Sequence, residues 1–520
     1  MAQTNRAGVW RGTLTLCVAA VFAGTPCIRA QAATPATQSK PGTSTHEPAT
    51  DKTGKLGTGK LGPANVEALF VSDIHFEPFW DPARTARLKT ATVGEWNAIL
   101  AAPTSADQAA RFAELQKTCK ARGADTSYTL YESSLKAIKD DASGAKFVVL
   151  SGDLIAHEFS CKFDTTFPNA KPGEYRAFVE KTINYVMREL RAVLPGVPVY
   201  AALGNNDSGC GDYQLDPNSA FLADIGRTLT ADFPAGERAE ALRTFAEGGF
   251  YSVRLPAPFA HARMLVLDDQ FMSRQYATCG GKADPAPAAV QIAWLTKELD
   301  EARQSKEKVW VMSHIPPGVN PYATAMKAMD LCSGGKPQMF LSSEALPNAM
   351  SNYGDVIELA IFAHTHMDEM RLLKPAVAGA PPQGVAVKLV PSISPINGNN
   401  PSFMVTQIDV ATAQLKDYQV FVASNQTGVN AQWSEEYDFA KTYKVDAFTA
   451  SSAGDLIAGF KADPTAQTAA SQSYIRNFGS GTGARELGVF WQPYTCALRN
   501  DGADAFRECV CQGQGVGSSQ

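Results

Sequence analysis

An α/β fold is predicted for this 520-residue chain on three observations. Short apolar runs recur between residues 66 and 422, segments with helical spacing separate several of them, and five of the runs end in aspartate, asparagine or histidine. Strands alternating with helices build layered α/β sheets, and open sheets of this kind carry their sites at the carboxyl ends of strands. The length allows a large core and two structural parts. A hydrophobic fraction of 45% with 19% charged residues belongs to a folded protein rather than a disordered one.

Taken in chain order, residues 1–32 read as a secretory signal. Arg6 and Arg11 precede the apolar run 14–23, and Ala30-Gln31-Ala32 supplies small residues for cleavage after Ala32. The run is too short for a permanent membrane span, and Pro26 before Cys27 fits a lipoprotein signal poorly. An extracytoplasmic location, secreted or periplasmic, is therefore expected, with no stable membrane anchor after cleavage. Loss of Arg6, Arg11 and Arg29 takes the basic residues from 47 to 44 against 52 acidic ones, a net charge of −8. Such acidity counts against a nucleic-acid duplex as partner, which calls for basic surface. Cys17 and Cys27 leave with the signal. The remaining eight cysteines, an even number in an exported chain, favour disulfides and leave the connectivity open.

Residues 33–64 are rich in Pro, Thr, Ser, Gly and Lys without apolar periodicity, which predicts a flexible linker. Order begins near Val66, and 68–71 reads as a buried strand. Further strands are expected at 147–150, 197–203, 264–267, 309–312, 359–363 and 385–390, with helices over 175–194 and 290–302. The alternating stretch 403–410 predicts another strand, with a partner at 418–422. Beyond these, strand-like runs cease. The expected catalytic part is thus 65–424, followed by a smaller helical region, 425–520, with cysteines and a flexible glycine- and serine-rich tail.

The strand ends carry the chemistry. Ser72-Asp73-Ile74-His75, Ser151-Gly152-Asp153, Gly204-Asn205-Asn206-Asp207, Ser313-His314 and Ala363-His364-Thr365-His366 each follow a run. Asp73, Asp153 and Asn205 offer oxygen, and His75, His314, His364 and His366 offer imidazole nitrogen, a mixture suited to zinc, manganese or iron. A shared carboxylate such as Asp153 can bridge two ions about 3.5–4 Å apart, the arrangement used for in-line attack at phosphorus. Each residue alone has a plainer reading, since aspartate after a strand commonly forms a turn or caps a helix. All of them in order, at five strand ends, make coincidence a poor account. Of the seven histidines, only His46 in the linker and His261 before a strand stand apart from this set and His157.

The ordered set D-x-H, G-D, G-N-x-D, H and H-x-H resembles the calcineurin-like metallophosphoesterase superfamily. The resemblance implies a two-sheet sandwich flanked by helices. It also implies that Asp73, His75, Asp153 and His366 hold one divalent ion, that Asp153, Asn205, His314 and His364 hold another, and that a hydroxide bridging the ions is the nucleophile. The stretches SDIHFEPF, SGDLIAHEF, GNND, HIPPG, AHTH and SISPINGNNPSF narrow the resemblance to acid sphingomyelinase-like phosphodiesterases over about residues 66–510. No cysteine-rich segment precedes the catalytic part, so a saposin-type lipid-presenting domain is not expected, which weakens the case for a sphingolipid substrate. Ala156 stands where purple acid phosphatases carry a tyrosine ligand. Two zinc ions are accordingly favoured, with manganese or ferrous iron as alternatives.

Asn206 stands where the superfamily usually has the histidine of G-N-H-D or G-N-H-E. A carboxamide has no usable pKa and cannot be the general acid. That role is expected of His157, four residues after Asp153, where the sphingomyelinase-like subgroup also carries a histidine; the plainer alternative is a histidine satisfied by a loop carbonyl. Asn206 is expected to donate its amide to a phosphate oxygen or a metal-bound ligand, and Asp207 to hold the loop. The function implied is an exported binuclear-metal phosphodiesterase acting on small-molecule phosphodiesters or phosphoanhydrides, with nucleotides, polyphosphate and phosphocholine esters, sphingomyelin included, all open. A phosphomonoesterase is the nearest alternative, and a metal-stabilised binding protein without turnover is the alternative outside enzymes. Phe79, Trp80, Tyr213 and Phe271 are candidates for stacking on a base or acyl group, with packing as the plainer reading.

Overall fold

The computed structural model describes residues 65–325, 328–375 and 384–512; the expected signal, linker and end of the tail lie outside them. Its strands in chain order are β1 Asn65–Val71, β2 Val148–Leu150, β3 Val199–Ala201, β4 Tyr251–Arg254, β5 Ala262–Val266 and β6 Lys308–Met312. They continue with β7 Ile357–Phe362, β8 Glu369–Leu373, β9 Val385–Leu389, β10 Ser402–Asp409, β11 Leu415–Ala423 and β12 Trp433–Asp438. Two six-stranded sheets result, ordered β12-β11-β10-β1-β2-β3 and β4-β5-β6-β7-β9-β8. β1, β2 and β3 run parallel in the first, and β5, β6, β7 and β9 in the second. Antiparallel strands flank both parallel cores.

The parallel strands are continuous apolar runs because both their faces are covered. Trp310 of β6 lies between the sheets. Its ring meets Phe70 of β1 edge-on at 5.8 Å and Phe147 at 5.8 Å, and its indole N–H donates to the Ala413 carbonyl. On the outer face of the first sheet, helix Glu174–Val193 buries Phe178, Ile183, Tyr185, Val186 and Leu190 and ends before Pro195, whose ring disfavours helical backbone in the residue preceding it. Helix Ala286–Ser305, started by Pro287, lays Leu295, Leu299 and Ala302 against Val309 and Val311 of the second sheet. The expected two-layer α/β architecture is present.

Three strands are absent from the sequence expectation, each for a physical reason. β4, Tyr-Ser-Val-Arg, is short and lies at a sheet edge. In β8, Glu369 and Arg371 break the apolar pattern yet are buried as partners of other polar groups. β12, Trp-Ser-Glu-Glu-Tyr-Asp, is a charged edge strand, the composition that discourages edge-to-edge pairing. Strands therefore do not cease at residue 422: β12 completes the first sheet, and helices follow from Phe439 to Gln512. All eight cysteines beyond residue 32 are paired, Cys119–Cys161, Cys210–Cys279, Cys332–Cys511 and Cys496–Cys509. Among the described residues no helix is long and apolar enough to cross a membrane.

β12 carries a pH-dependent weakness. Burial, with Asp368 nearby, pushes the Glu436 carboxyl up to about 8 from 4.5. A raised carboxyl contributes its stability in full below its unfolded value and loses it as pH rises through the folded one. Glu436→Gln is therefore expected to melt at the same temperature as the native protein at pH 4 and at a higher one at pH 9. Equal melting temperatures at pH 9 would contradict this.

Candidate metal centre

Strand ends β1, β2, β3, β6 and β7 open at the same edge, and the predicted residues meet there. The approach of β2 to β3 depends on two glycines. A Cβ on Gly152, whose φ is +100°, would lie 2.8 Å from both the Gly204 nitrogen and His314 Nδ1, and one on Gly204 would overlap Asp153. Immediately beyond the strands the backbone turns sharply. Asp73, His75, Asp153, His364 and His366 all have left-handed backbone, with φ of 46°, 45°, 55°, 71° and 69°. Each such residue costs about 1–3 kcal/mol and persists only where the surroundings over-determine it, which is a habit of functional sites.

The donors converge on one another rather than on hydrogen-bond partners. His75 Nδ1 donates to the Ile155 carbonyl at 2.9 Å, which turns Nε2 inward to 3.2 Å from His366 Nε2, 3.4 Å from Asp153 Oδ2 and 3.7 Å from Asp73 Oδ1. His314 Nδ1 donates to the Ser151 carbonyl at 2.8 Å and presents Nε2 3.1 Å from the same Asp153 oxygen. Carbonyl partners of this kind fix the tautomer of metal-ligating histidines. Three groups of donors, Asp73-His75-Asp153, Asp153-His314-His364 and His75-His157-His366, each lie within 4.8 Å, and Asp153 belongs to the first two. His366 Nε2 stands 3.4 Å from Asp73 Oδ1. Asn205 gives its amide N–H to Asp212 at 2.7 Å, and its Oδ1 is left buried without a partner. Asp73 Oδ1 and His366 Nδ1 are likewise buried and lack hydrogen-bond partners.

Buried lone pairs facing one another are costly unless a cation lies among them. In the ion-free protein protons take that place. Burial opposes charge on His75 and His314, yet Asp153 and Asp73 raise the first to about 9 and the second to about 10. Burial and neighbouring imidazoles hold His364 and His366 down at about 3. Two carboxylates with two imidazolium protons, in a shell of further nitrogen and oxygen donors, fit a pair of divalent ions that displace those protons.

The remaining predicted residues lie around this set. Asp207 accepts Leu154 N–H at 2.8 Å, Ile155 N–H at 3.2 Å and Gly204 N–H at 3.0 Å, tying together the segments that follow β2 and β3. Asn206 does not line the pocket; its backbone N–H donates to Asp153 Oδ1 at 2.9 Å and its amide to Asp153 Oδ2 at 3.0 Å. His157 stacks on His75 at 3.9 Å and lies 3.0 Å by Nδ1 from Asp125, not from a loop carbonyl. A cavity of about 820 Å³ opens over Asp153, Asn205 and His364, with His157, Tyr213, Tyr322, Phe340 and Phe478 among its walls. Of the four candidate stacking residues only Tyr213 reaches it. Phe79 packs between Phe159 and Phe178, Trp80 on Phe112 and Phe271 on Tyr276. Asp125, Asp212 and Arg122 were not singled out from sequence, because isolated charges in loops carry no pattern until the fold brings them to the site.

A model of the Calcineurin-like phosphoesterase family matches residues 67–368. The chain belongs to that family. This phosphoesterase is 28% identical over 403 residues to the human acid sphingomyelinase-like phosphodiesterase 3b, covering 74% of the chain and 80% of that relative. A Dictyostelium discoideum sphingomyelinase phosphodiesterase C is 24% identical over 408 residues, 75% of this chain and 82% of that one. The human cyclic GMP-AMP phosphodiesterase SMPDL3A is 24% identical over 331 residues, 62% of this chain and 66% of that one. The phosphoesterase is thus a phosphoester hydrolase, and divalent metal chemistry is the family's.

Proposed function

We propose that the protein is an exported phosphodiesterase that hydrolyses small phosphodiesters or phosphoanhydrides with two zinc ions. The observation that carries the reading is the 820 Å³ cavity, which meets both donor groups at Asp153 and has His157 in its wall. That is room for substituents on both sides of a phosphorus, more than a small monoester requires. The relatives' names favour nucleotide and phosphocholine diesters. Four disulfides accord with an oxidising compartment.

In this reading Asp73, His75, Asp153 and His366 hold one ion and Asp153, Asn205, His314 and His364 the other. When bound, the ions supply Lewis acidity at phosphorus and a water of lowered pKa. His157 gives a proton to the departing oxygen. Asp207 holds the segments that carry Asp153 and Asn205 together. Asn206 keeps Asp153 in place through two hydrogen bonds, the role of a donor to a metal-bound ligand rather than to substrate. Asn206→Ala is expected to weaken ion retention about 10–100-fold, read as metal remaining after graded chelator dialysis. Unchanged retention would return Asn206 to substrate binding.

The deciding experiment ranks kcat/KM of the zinc-loaded protein for dinucleotides, nucleoside triphosphates, polyphosphate, phosphocholine esters and simple monoesters. Diesters or anhydrides are expected first. Monoesters first would make it a phosphomonoesterase, and no hydrolysis across the panel would favour a binding protein. Export is tested by the N-terminus of protein recovered outside the cytoplasm, expected at Ala33.

A further inference from the structure

We propose that Asp125 is the positioning residue that aims His157 into the pocket, and that Ser394 and a buried Lys162–Glu77 pair hold Asp125 for that purpose. This rests on the reading of His157 as proton donor to the leaving group. Asp125 is 2% exposed and approaches His157 twice. One oxygen accepts the His157 backbone N–H at 2.8 Å, and the other lies 3.0 Å from Nδ1. With Nδ1 engaged, Nε2 is the ring nitrogen left for the cavity that His157 lines. The ring face is fixed as well, by the stack on His75.

Asp125 is itself held from three sides. Ser394 Oγ donates to Asp125 Oδ1 at 2.8 Å. Lys162 Nζ, fully buried and paired with Glu77, stands 3.9 Å from Asp125 Oδ2. The backbone beside it is strapped to the metal strand: Thr126 N–H donates to the His75 carbonyl at 3.2 Å and Glu77 N–H to the Thr126 carbonyl at 2.9 Å. Residues 75–77, 125–126 and 155–157 therefore lie side by side, and Phe76 bridges to both Thr126 and Ile155. A carboxylate needed only to close a loop would have no use for the imidazole, and a turn could be closed without burying a lysine behind it.

In the step this serves, the oxygen of water forms a new bond to phosphorus as the bond from phosphorus to the leaving oxygen breaks. The electron pair stays on that oxygen, which takes the proton from His157 Nε2. Asp125 remains ionised throughout and keeps the imidazole's orientation. The attacking water gives up one proton to solvent as it adds to phosphorus, and solvent returns one proton to His157 Nε2 before the next turnover.

The test compares the p-nitrophenyl and methyl esters of thymidine 5′-phosphate on the zinc-loaded native protein, His157→Asn, Asp125→Asn and the double variant, with metal content and melting temperature recorded for each. p-Nitrophenolate leaves without help, whereas methoxide needs the proton. Asp125→Asn is expected to lose about 100-fold in kcat on the methyl ester and no more than about 3-fold on the aryl ester, with KM unchanged. The double variant is expected to be no slower than His157→Asn alone. Equal losses on the two esters, or additive losses in the double variant, would overturn the role of Asp125. If His157→Asn itself shows no ester dependence, the proton-donor reading fails and the positioning role fails with it. A native protein inert to both esters would instead sink the phosphodiesterase reading. Should Asp125→Asn lose metal or melt early, Ser394→Ala decides: a smaller loss confined to the methyl ester supports the proposal, and an equal loss or none on both esters rejects it.

Discussion

Asp153→Asn is expected to lose ions from both donor groups and to lower kcat/KM by well over about 100-fold. Both oxygens of Asp153 are committed. Oδ1 accepts the Asn206 backbone N–H and Oδ2 its side-chain amide, while Oδ2 also faces His75 at 3.4 Å and His314 at 3.1 Å. An amide at position 153 cannot satisfy both contacts, because either orientation sets donor against donor, at about 1–3 kcal/mol for the group left unmade. The negative charge common to both donor groups is lost as well. Metal per chain, measured by mass spectrometry after gel filtration, checks the outcome directly. A full complement of ions in Asp153→Asn would remove the bridging role.

Lys162→Met is expected to destabilise the fold by about 3–5 kcal/mol, the cost of leaving buried charge without its partner. Lys162 and Glu77 are both fully buried, and Asp125 shares the lysine at 3.9 Å. Burial already raises the Glu77 carboxyl above 4.5, with Asp125 adding to the shift and Lys162 opposing it. Without the lysine that carboxyl rises further. A raised carboxyl loses its stability contribution as pH climbs from the unfolded to the folded value, so the defect should be small near pH 4 and largest above neutrality. Urea denaturation at the two pH values measures it, and Lys162→Met with Glu77→Gln should recover part of the loss. A defect below about 1 kcal/mol at pH 8 would mean that water reaches this pair.

The candidate metal donors were legible in the sequence because each follows an apolar run short enough to be a buried strand, and parallel strands bring their carboxyl ends to one edge. Asp73, His75, Asp153, Asn205, His314, His364 and His366 needed only that rule to be gathered. The supports of the site were not legible, for a different reason. Asp125, Ser394 and Lys162 sit in a loop, a loop and a short helix separated by tens to hundreds of residues, and their relation comes from pairings between distant segments, Phe76 with Thr126 and Ile155 and the Ser394 N–H with the Asp73 carbonyl. The same contrast explains β8 and β12. Buried Glu369 and Arg371 obey partners supplied by distant segments, and an edge strand is permitted the polar sequence that a central strand is not. Asn206 lies between the two cases. Its departure from the usual histidine is visible in the sequence, whereas its attachment to Asp153 depends on a turn that exists only in the folded chain.

The left-handed backbone at Asp73, His75, Asp153, His364 and His366 limits how this centre can be redesigned or can drift in evolution. Left-handed positions admit Gly, Asn, Asp and His far more readily than β-branched or bulky residues. Five of the seven proposed ligands are thus confined to a short alphabet by conformation before coordination chemistry has any say. Asn205 and His314 carry no such restriction. A library seeking a different metal preference should therefore concentrate its diversity at those two positions, where cysteine or glutamate can be tried without opposing the chain's own geometry.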